Sequence, residues 1–285
     1  MTSTPARVGV LGGGRMGAGI AHAFLLAGSR VTVIERDAPA ADAAAQRIGD
    51  SLARSVERGS TDRPLNDLEA ALTVGDDIAA FADADLVIEA VPEDRALKGD
   101  ALGRIARVVA PASAIVSNTS SISIDALAAT ITHPERFLGL HFFNPVPASA
   151  LVEIVTGAAT APAVVESARA WVDALGKAPV VVRDSPGFAS SRLGVMLGLE
   201  AIRMLEEGVA TAADIDTAME LGYRHPTGPL RTTDIVGLDV RLGIAEELEA
   251  AFGPRFSPPD LLRRLVAEGH LGRKAGRGFY EWSDS

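Results

Sequence analysis

The chain has 285 residues, 47% hydrophobic and 22% charged, which is enough apolar content for a large core and excludes wholesale disorder. Cysteine is absent, so a disulfide scaffold, a thiolate–zinc site and a cysteine nucleophile are all excluded. The formal charge of −10, from 37 acidic and 27 basic residues, disfavours polyphosphate partners such as nucleic acids.

Taken in chain order, the start MTSTPARVGVLGGG lacks the basic region and long apolar stretch of a signal peptide. No apolar run long enough to span a bilayer follows it. A soluble, cytoplasmic protein without a membrane partner is expected. Short β-branched runs predict strands at 7–11, 31–35, 85–88, 114–117, 137–140, 151–155 and 179–182. Helical stretches are predicted between them at 17–28, 39–58, 93–109, 123–129 and 162–175. Such alternation implies a doubly wound, mostly parallel α/β sheet covered on both faces. Asp184-Ser185-Pro186-Gly187 is a turn cluster, and beyond it strand-like runs all but vanish. Helices are predicted at 188–207, 211–221, 239–251 and 259–268. Two domains are therefore expected, 1–184 and 185–285, the second all-helical.

The first predicted strand runs into Gly12-Gly13-Gly14-Arg15-Met16-Gly17, a G-x-G-x-x-G loop opening a helix. Gly12 allows the tight turn, Gly14 lets backbone approach a pyrophosphate, and Gly17 permits close helix–strand packing. The helix N-terminus adds N–H donors and a positive dipole end. The second strand ends at Glu35, about 20 residues after the glycines, where a carboxylate accepts from both ribose hydroxyls of NAD and repels the 2′-phosphate of NADP. Arg36 beside it weakens that discrimination, so NAD is expected over NADP.

Three further stretches are polar where plain connections are expected. The strand at 114–117 opens into Asn118-Thr119-Ser120-Ser121. The strand at 137–140 ends at His141-Phe142-Phe143-Asn144-Pro145. Both lie beyond strand carboxyl ends, where ligands bind in doubly wound sheets. Glu153 differs, for Leu-Val-Glu-Ile-Val places a carboxylate inside an apolar strand. Burial of an unpaired carboxylate is costly, so a cationic or hydrogen-bonding partner is expected, with a histidine on an adjoining strand end as the candidate.

These segments, with DSPGF, HPTGPLRTTDIVGLD and GRKAGRGFY further on, resemble the L-3-hydroxyacyl-CoA dehydrogenase family, and its short bacterial 3-hydroxybutyryl-CoA branch most. The resemblance spans nearly the whole chain. It implies a Rossmann-type domain, an all-helical substrate and dimerisation domain, NAD as cofactor, an acyl-CoA substrate and a homodimer. It places the catalytic pair on His141 and Glu153, with His141 as acid–base and Glu153 orienting the imidazole. Histidine suits that role because its ring titrates near neutral pH. Ser120 matches a serine bonding the substrate's 3-oxygen, and Asn144 an asparagine lining the same site. Asn118 and Met16 fall within the matched loops and are assigned to cofactor binding. Glu93 and Lys98 resemble residues reaching the nicotinamide ribose. Ser51 and Arg58, on one helix face with Arg54, match positions that hold the CoA nucleotide. Ser191 stands where the family pattern has an asparagine of the substrate-binding set, which leaves the acyl group open.

Alternatives remain at this stage. Arg231 suits either a solvated charge or recognition of a distal carboxylate, as in 3-hydroxyadipyl-CoA. A β-hydroxyacid dehydrogenase shares the glycine loop but works through a lysine-centred site. A dinucleotide-sensing protein would keep the fold without the chemistry. The remaining histidines show no ligand spacing, so no metal site is expected. His22 is expected to face solvent or the sheet.

Overall fold

A computed structural model describes residues 4–282; residues 1–3, part of the start read above for a leader, and 283–285 lie outside the described residues. The chain divides into two compact units, Met1–Ser185 and Pro186–Ser285.

The first unit is an eight-stranded sheet. Its strands are β1 (Arg7–Leu11), β2 (Arg30–Ile34), β3 (Leu72–Gly75), β4 (Leu86–Glu89), β5 (Ala114–Ser117), β6 (Phe137–Phe142), β7 (Leu151–Thr156) and β8 (Ala178–Arg183). Its helices are α1 (Arg15–Leu26), α2 (Ala38–Glu57), α3 (Leu65–Ala70), α4 (Arg95–Val108), α5 (Ile124–Ala128) and α6 (Pro162–Ala174). The strand order is β3-β2-β1-β4-β5-β6-β7-β8. Pairings from β3 through β6 are parallel, β7 runs antiparallel to β6, and β8 is parallel to β7. The order reverses at β1, which puts a crevice at the carboxyl ends of β1 and β4.

Side-chain alternation decides which residues meet which layer. Val8, Val10, Leu86, Ile88, Val116, Leu138, Leu140, Val152 and Ile154 share one buried cluster with Ile20 and Phe24 of α1, Ile48 and Leu52 of α2, and Val172 of α6. The intervening residues Val87 and Ile115, also buried, point to the opposite face, under α4 and α5. Val87, Glu89, Ile115, Ser117, His141 and Glu153 therefore belong to that second face.

The second unit holds α7 (Ser190–Glu206), α8 (Ala212–Tyr223), α9 (Pro229–Val236), α10 (Leu238–Phe252) and α11 (Asp260–Ala267). Its core joins Val195, Leu199 and Ile202 of α7 to Leu230, Leu238, Leu248, Phe256 and Leu262. Asp234 is fully buried and accepts hydrogen bonds from Phe279 N, Tyr280 N and Trp282 Nε1, which ties the end of the chain to α9.

Three elements escape the sequence reading. The strand β3 is a four-residue edge with mostly half-buried side chains, too short and too weakly patterned to stand out. The helix α3 has only six residues. The helix α9 begins at Pro229, the favoured first helical position, within a segment otherwise read for its resemblance alone. Strand β6 also runs two residues beyond the predicted 137–140, so His141 lies inside the ladder rather than past its end. The antiparallel partner β7 continues the hydrogen bonding there.

Candidate active site

Four buried polar side chains stand at neighbouring strand ends on the α4/α5 face: Glu89 on β4, Ser117 on β5, His141 on β6 and Glu153 on β7. Glu89 and Ser117 are register partners, as are His141 and Glu153. Alternation puts all four on one face; Ser117 pairs with Gly139, so His141 lies two residues further along β6 on the same face. His141 Nδ1 lies 2.8 Å from Glu153 Oε2, and the Glu153 side chain is 1% exposed. The cation-capable partner that the strand glutamate demanded is thus present. The imidazole also lies against the Phe143 ring, with centroids 4.5 Å apart.

The Ser117–Ser121 turn is organised from outside. Glu93 Oε1 accepts from Thr119 Oγ1 at 2.6 Å, Ser120 N at 2.8 Å and Ser121 N at 3.0 Å. Burial alone would raise the Glu93 carboxyl; the Lys98 ammonium and the Thr119 and Ser120 donors outweigh it and hold the carboxyl below its usual range. Asn118 Oδ1 accepts from Phe142 N at 3.0 Å, locking the end of β5 to the end of β6.

The glycine loop begins the crevice. Gly12 has φ +97°, and a Cβ there would meet Ala90 O at 2.8 Å. A Cβ on Gly17 would meet Gly12 O at 1.7 Å, so only glycine lets α1 approach β1. Nothing lies within 4 Å of a Cβ on Gly14, which leaves that backbone open to a ligand. Glu35, one residue past β2, accepts from Gly13 N at 2.7 Å. Arg36 is exposed and pairs with Asp37.

A cavity of about 890 Å³ gathers Gly12, Gly14, Met16, Glu35, Glu93, Lys98, Asn118, Ser120, His141 and Asn144 along its walls. A second, of about 910 Å³, lies over α1 and α2 and is lined by Arg15, Arg47, Arg54, Arg58, Lys177, His22 and Ser51. Among the described residues no aspartate or glutamate lines it. Arg15 and Asn144 line both cavities.

Comparison with known proteins matches the same two parts of the chain. Residues 7–185 fit the NAD-binding domain model of 3-hydroxyacyl-CoA dehydrogenase, and residues 187–282 fit its C-terminal domain model. The chain belongs to the 3-hydroxyacyl-CoA dehydrogenase family. It is 44% identical to a 3-hydroxybutyryl-CoA dehydrogenase of Mycobacterium tuberculosis, over 99% of this chain and 100% of that one. It is 38% identical to a probable 3-hydroxybutyryl-CoA dehydrogenase of Bacillus subtilis, over 96% of each. The crystal structure of (S)-3-hydroxybutyryl-CoA dehydrogenase from Ralstonia eutropha superposes with a TM-score of 0.94 at 38% identity, covering 99% of this chain and 100% of that one. The protein is an NAD-dependent oxidoreductase of this family.

The first unit of the enzyme brings together all the site residues expected there except Ser51, Arg58 and Gly17. Ser51 and Arg58 line the second cavity, and Gly17 is buried beneath the glycine loop. Ser191 lies in the first turn of α7, half-buried. Arg231 is exposed, with its guanidinium 4.3 Å above the Tyr280 ring. His22 is neither on the surface nor against the sheet. It is buried against α2, with Nε2 2.8 Å from Ser55 Oγ, and burial depresses its pKa. No group of His, Asp and Glu fit to hold a metal ion is found among the described residues.

Sequence reasoning overlooked Glu89, although its signal matches that of Glu153: a carboxylate closing the apolar strand Leu86-Val87-Ile88. It also overlooked Lys177, whose Nζ donates to Val146 O and Ser149 O and so fixes the turn after Asn144. Its lysine gives no local sign, because both acceptors lie about 30 residues away in sequence.

Proposed function

We propose that the enzyme interconverts (3S)-3-hydroxyacyl-CoA thioesters, short-chain ones such as 3-hydroxybutyryl-CoA, with the 3-ketoacyl-CoAs. His141 is the acid–base and Glu153 its orienting partner. The observation that carries this reading is the 2.8 Å contact between His141 Nδ1 and Glu153 Oε2 on the wall of the glycine-loop cavity.

The loop fits a dinucleotide. Gly14 caps α1 in extended conformation with no side-chain hydrogen bond, so the first-turn N–H groups face an open backbone. Arg15, a cation in that first turn, opposes the helix dipole unless an anion lies near. Gly12, Gly14 and Met16 would form the pyrophosphate wall, Gly17 would hold α1 close beneath it, and Glu35 would accept from the adenosine ribose. Glu93, Lys98 and Asn118 would border the nicotinamide end. When bound, NAD supplies the two-electron acceptor for the hydrogen leaving C3.

The protein's own part is the proton. Glu153 holds Nδ1–H, leaving Nε2 as the atom that removes the 3-hydroxyl proton and returns it in the reverse direction. Glu153 also stabilises the imidazolium formed in that step. Ser120, whose N–H and hydroxyl both donate to Glu93, would turn its hydroxyl to the 3-oxygen when substrate binds while the N–H bond stays, and Asn144 borders the same space.

The second cavity suits the CoA nucleotide, where Arg54, Arg58 and Ser51 meet the phosphates in a local positive field despite the net charge of −10. No helix among the described residues is long and apolar enough to cross a membrane. A cytoplasmic location and a homodimer are part of this reading, the homodimer supported by exposed Leu193, Leu221, Tyr223 and Val240 on the helical unit. Sedimentation at a single monomer mass would overturn the dimer.

The decisive assay is NADH oxidation with acetoacetyl-CoA. Tight NADH binding without turnover would favour a dinucleotide sensor instead.

A further inference from the structure

Beneath the Ser117–Ser121 turn lies an ionic chain, buried at Glu89 and Lys98 and exposed at Glu93, whose inner member Glu89 has no part in the proposed chemistry. Glu89 is fully buried at the end of β4. Its Oε1 accepts from Val91 N at 2.7 Å and from Lys98 Nζ at 2.8 Å, and its Oε2 accepts from Ser117 Oγ. Lys98, on α4, is 1% exposed. Its ammonium has three protons. Three acceptors surround it: Glu89 Oε1, Val91 O at 3.0 Å and Glu93 Oε2 at 3.2 Å. Glu93 in turn gathers Thr119, Ser120 and Ser121. The links run without a break from Ser117 through Glu89, Lys98 and Glu93 back to Ser120.

We infer that Glu89 is a positioning residue for the reaction, acting through Lys98 and Glu93 on Ser120 and on the cavity wall that borders the nicotinamide end. Two physical points support this. A buried lysine and glutamate pair is no sure gain in stability, since desolvation of both charges offsets their attraction. Neutral residues of like volume would fill the space as well. The pair does, however, fix a distance between β4 and α4 and hold Glu93 at a single height above the sheet. Ser117 closes the loop by hydrogen-bonding Glu89 at the base of the same turn that Glu93 holds from above, so the turn is clamped at both ends.

This inference rests on the proposed role of Ser120 and of the cavity, and the tests separate the two. Glu89→Gln keeps an acceptor for Val91 N, reverses the bond to Ser117 so that the new amide donates to its hydroxyl, and removes the charge that fixes Lys98. It is expected to weaken NADH binding in a fluorescence titration and to lower kcat with acetoacetyl-CoA by up to roughly a hundredfold, the scale of an ångström-sized misplacement. Glu89→Gln combined with Lys98→Met removes both charges. Its melting temperature is expected to return to that of the parent while the loss of turnover persists. Recovery of turnover together with stability would show a merely structural pair and overturn the inference. So would parental NADH affinity and kcat in Glu89→Gln. If Glu89→Gln fails to fold, Ser117→Ala, which removes the hydroxyl that bonds Glu89 Oε2, decides by the same NADH titration and kcat, and parental values in both overturn the inference. A parent enzyme inert toward acetoacetyl-CoA would sink the substrate reading instead, and the NADH titrations would still test Glu89.

Discussion

His141 and Glu153 stand directly opposite each other across β6 and β7, the sheet's one antiparallel pairing among the described residues, with Nδ1 and Oε2 2.8 Å apart. Cross-strand partners on one face are the closest neighbours a sheet offers. The reversal of β7 therefore turns two residues twelve apart in sequence into a rigid pair. Both backbones are held by the ladder, so the ring has little freedom to leave its carboxylate.

The first prediction follows from that rigidity. His141→Gln is expected to reduce turnover with acetoacetyl-CoA by about 10²–10⁴-fold, the usual contribution of a general acid–base. Melting temperature and NADH affinity should change little. Activity within tenfold of the parent would remove His141 from its role.

The proposed reading gives Glu35 the choice of cofactor. Its carboxylate already accepts from Gly13 N, so it is fixed beside the loop. Glu35→Ala is expected to weaken NADH more than NADPH, narrowing the preference measured by parallel kcat/KM determinations. An unchanged ratio would refute the assignment.

The cationic cavity should discriminate between whole and truncated substrates. Arg58→Ala is expected to raise KM for acetoacetyl-CoA severalfold, and less so at high salt, where exposed charges are screened. An N-acetylcysteamine thioester, which lacks the nucleotide, should show the same kinetics with parent and variant. Equal effects on both substrates would move the nucleotide elsewhere.

His22 predicts an acid sensitivity. Burial depresses its pKa below 6.5, so the folded protein resists protonation that the unfolded chain accepts. Its contribution to stability is complete above about 6.5 and declines as pH falls from there toward the depressed value. His22→Gln, able to keep the bond to Ser55, should flatten the melting temperature between about pH 7.5 and 5. A slope identical to the parent's would exclude His22 as the cause.

Asp234 secures the helical unit. Asp234→Ala strands Phe279 N, Tyr280 N and Trp282 Nε1 and is expected to destabilise the protein by roughly 3 kcal/mol, read by denaturant titration. Parental stability would show that the chain end contributes nothing to α9.

Much of the fold class was legible because strand–helix alternation and the glycine loop are local patterns. The four-residue β3 and the short α9 were not, since their stability comes from neighbours rather than from their own periodicity. Within the site, Glu153 announced itself as a charge in an apolar strand. Glu89 gave the same sign but lay beside a loop rich in other polar residues. His22 was misjudged because one helix turn does not reveal which neighbour will cover it.

The sequence by itself determined the α/β frame, the helical second part and the residue types of the chemistry, all of which depend on near neighbours and spacing. Only the tertiary structure decided that β7 runs antiparallel, the register that sets Glu153 opposite the His141 with which the resemblance had paired it. It alone showed that Lys98 is saturated by Glu89, Val91 and Glu93, and that five basic side chains line one cavity with no acid beside them among the described residues. Those are facts of register and packing between segments far apart in the chain, where geometry, not local preference, selects the partner.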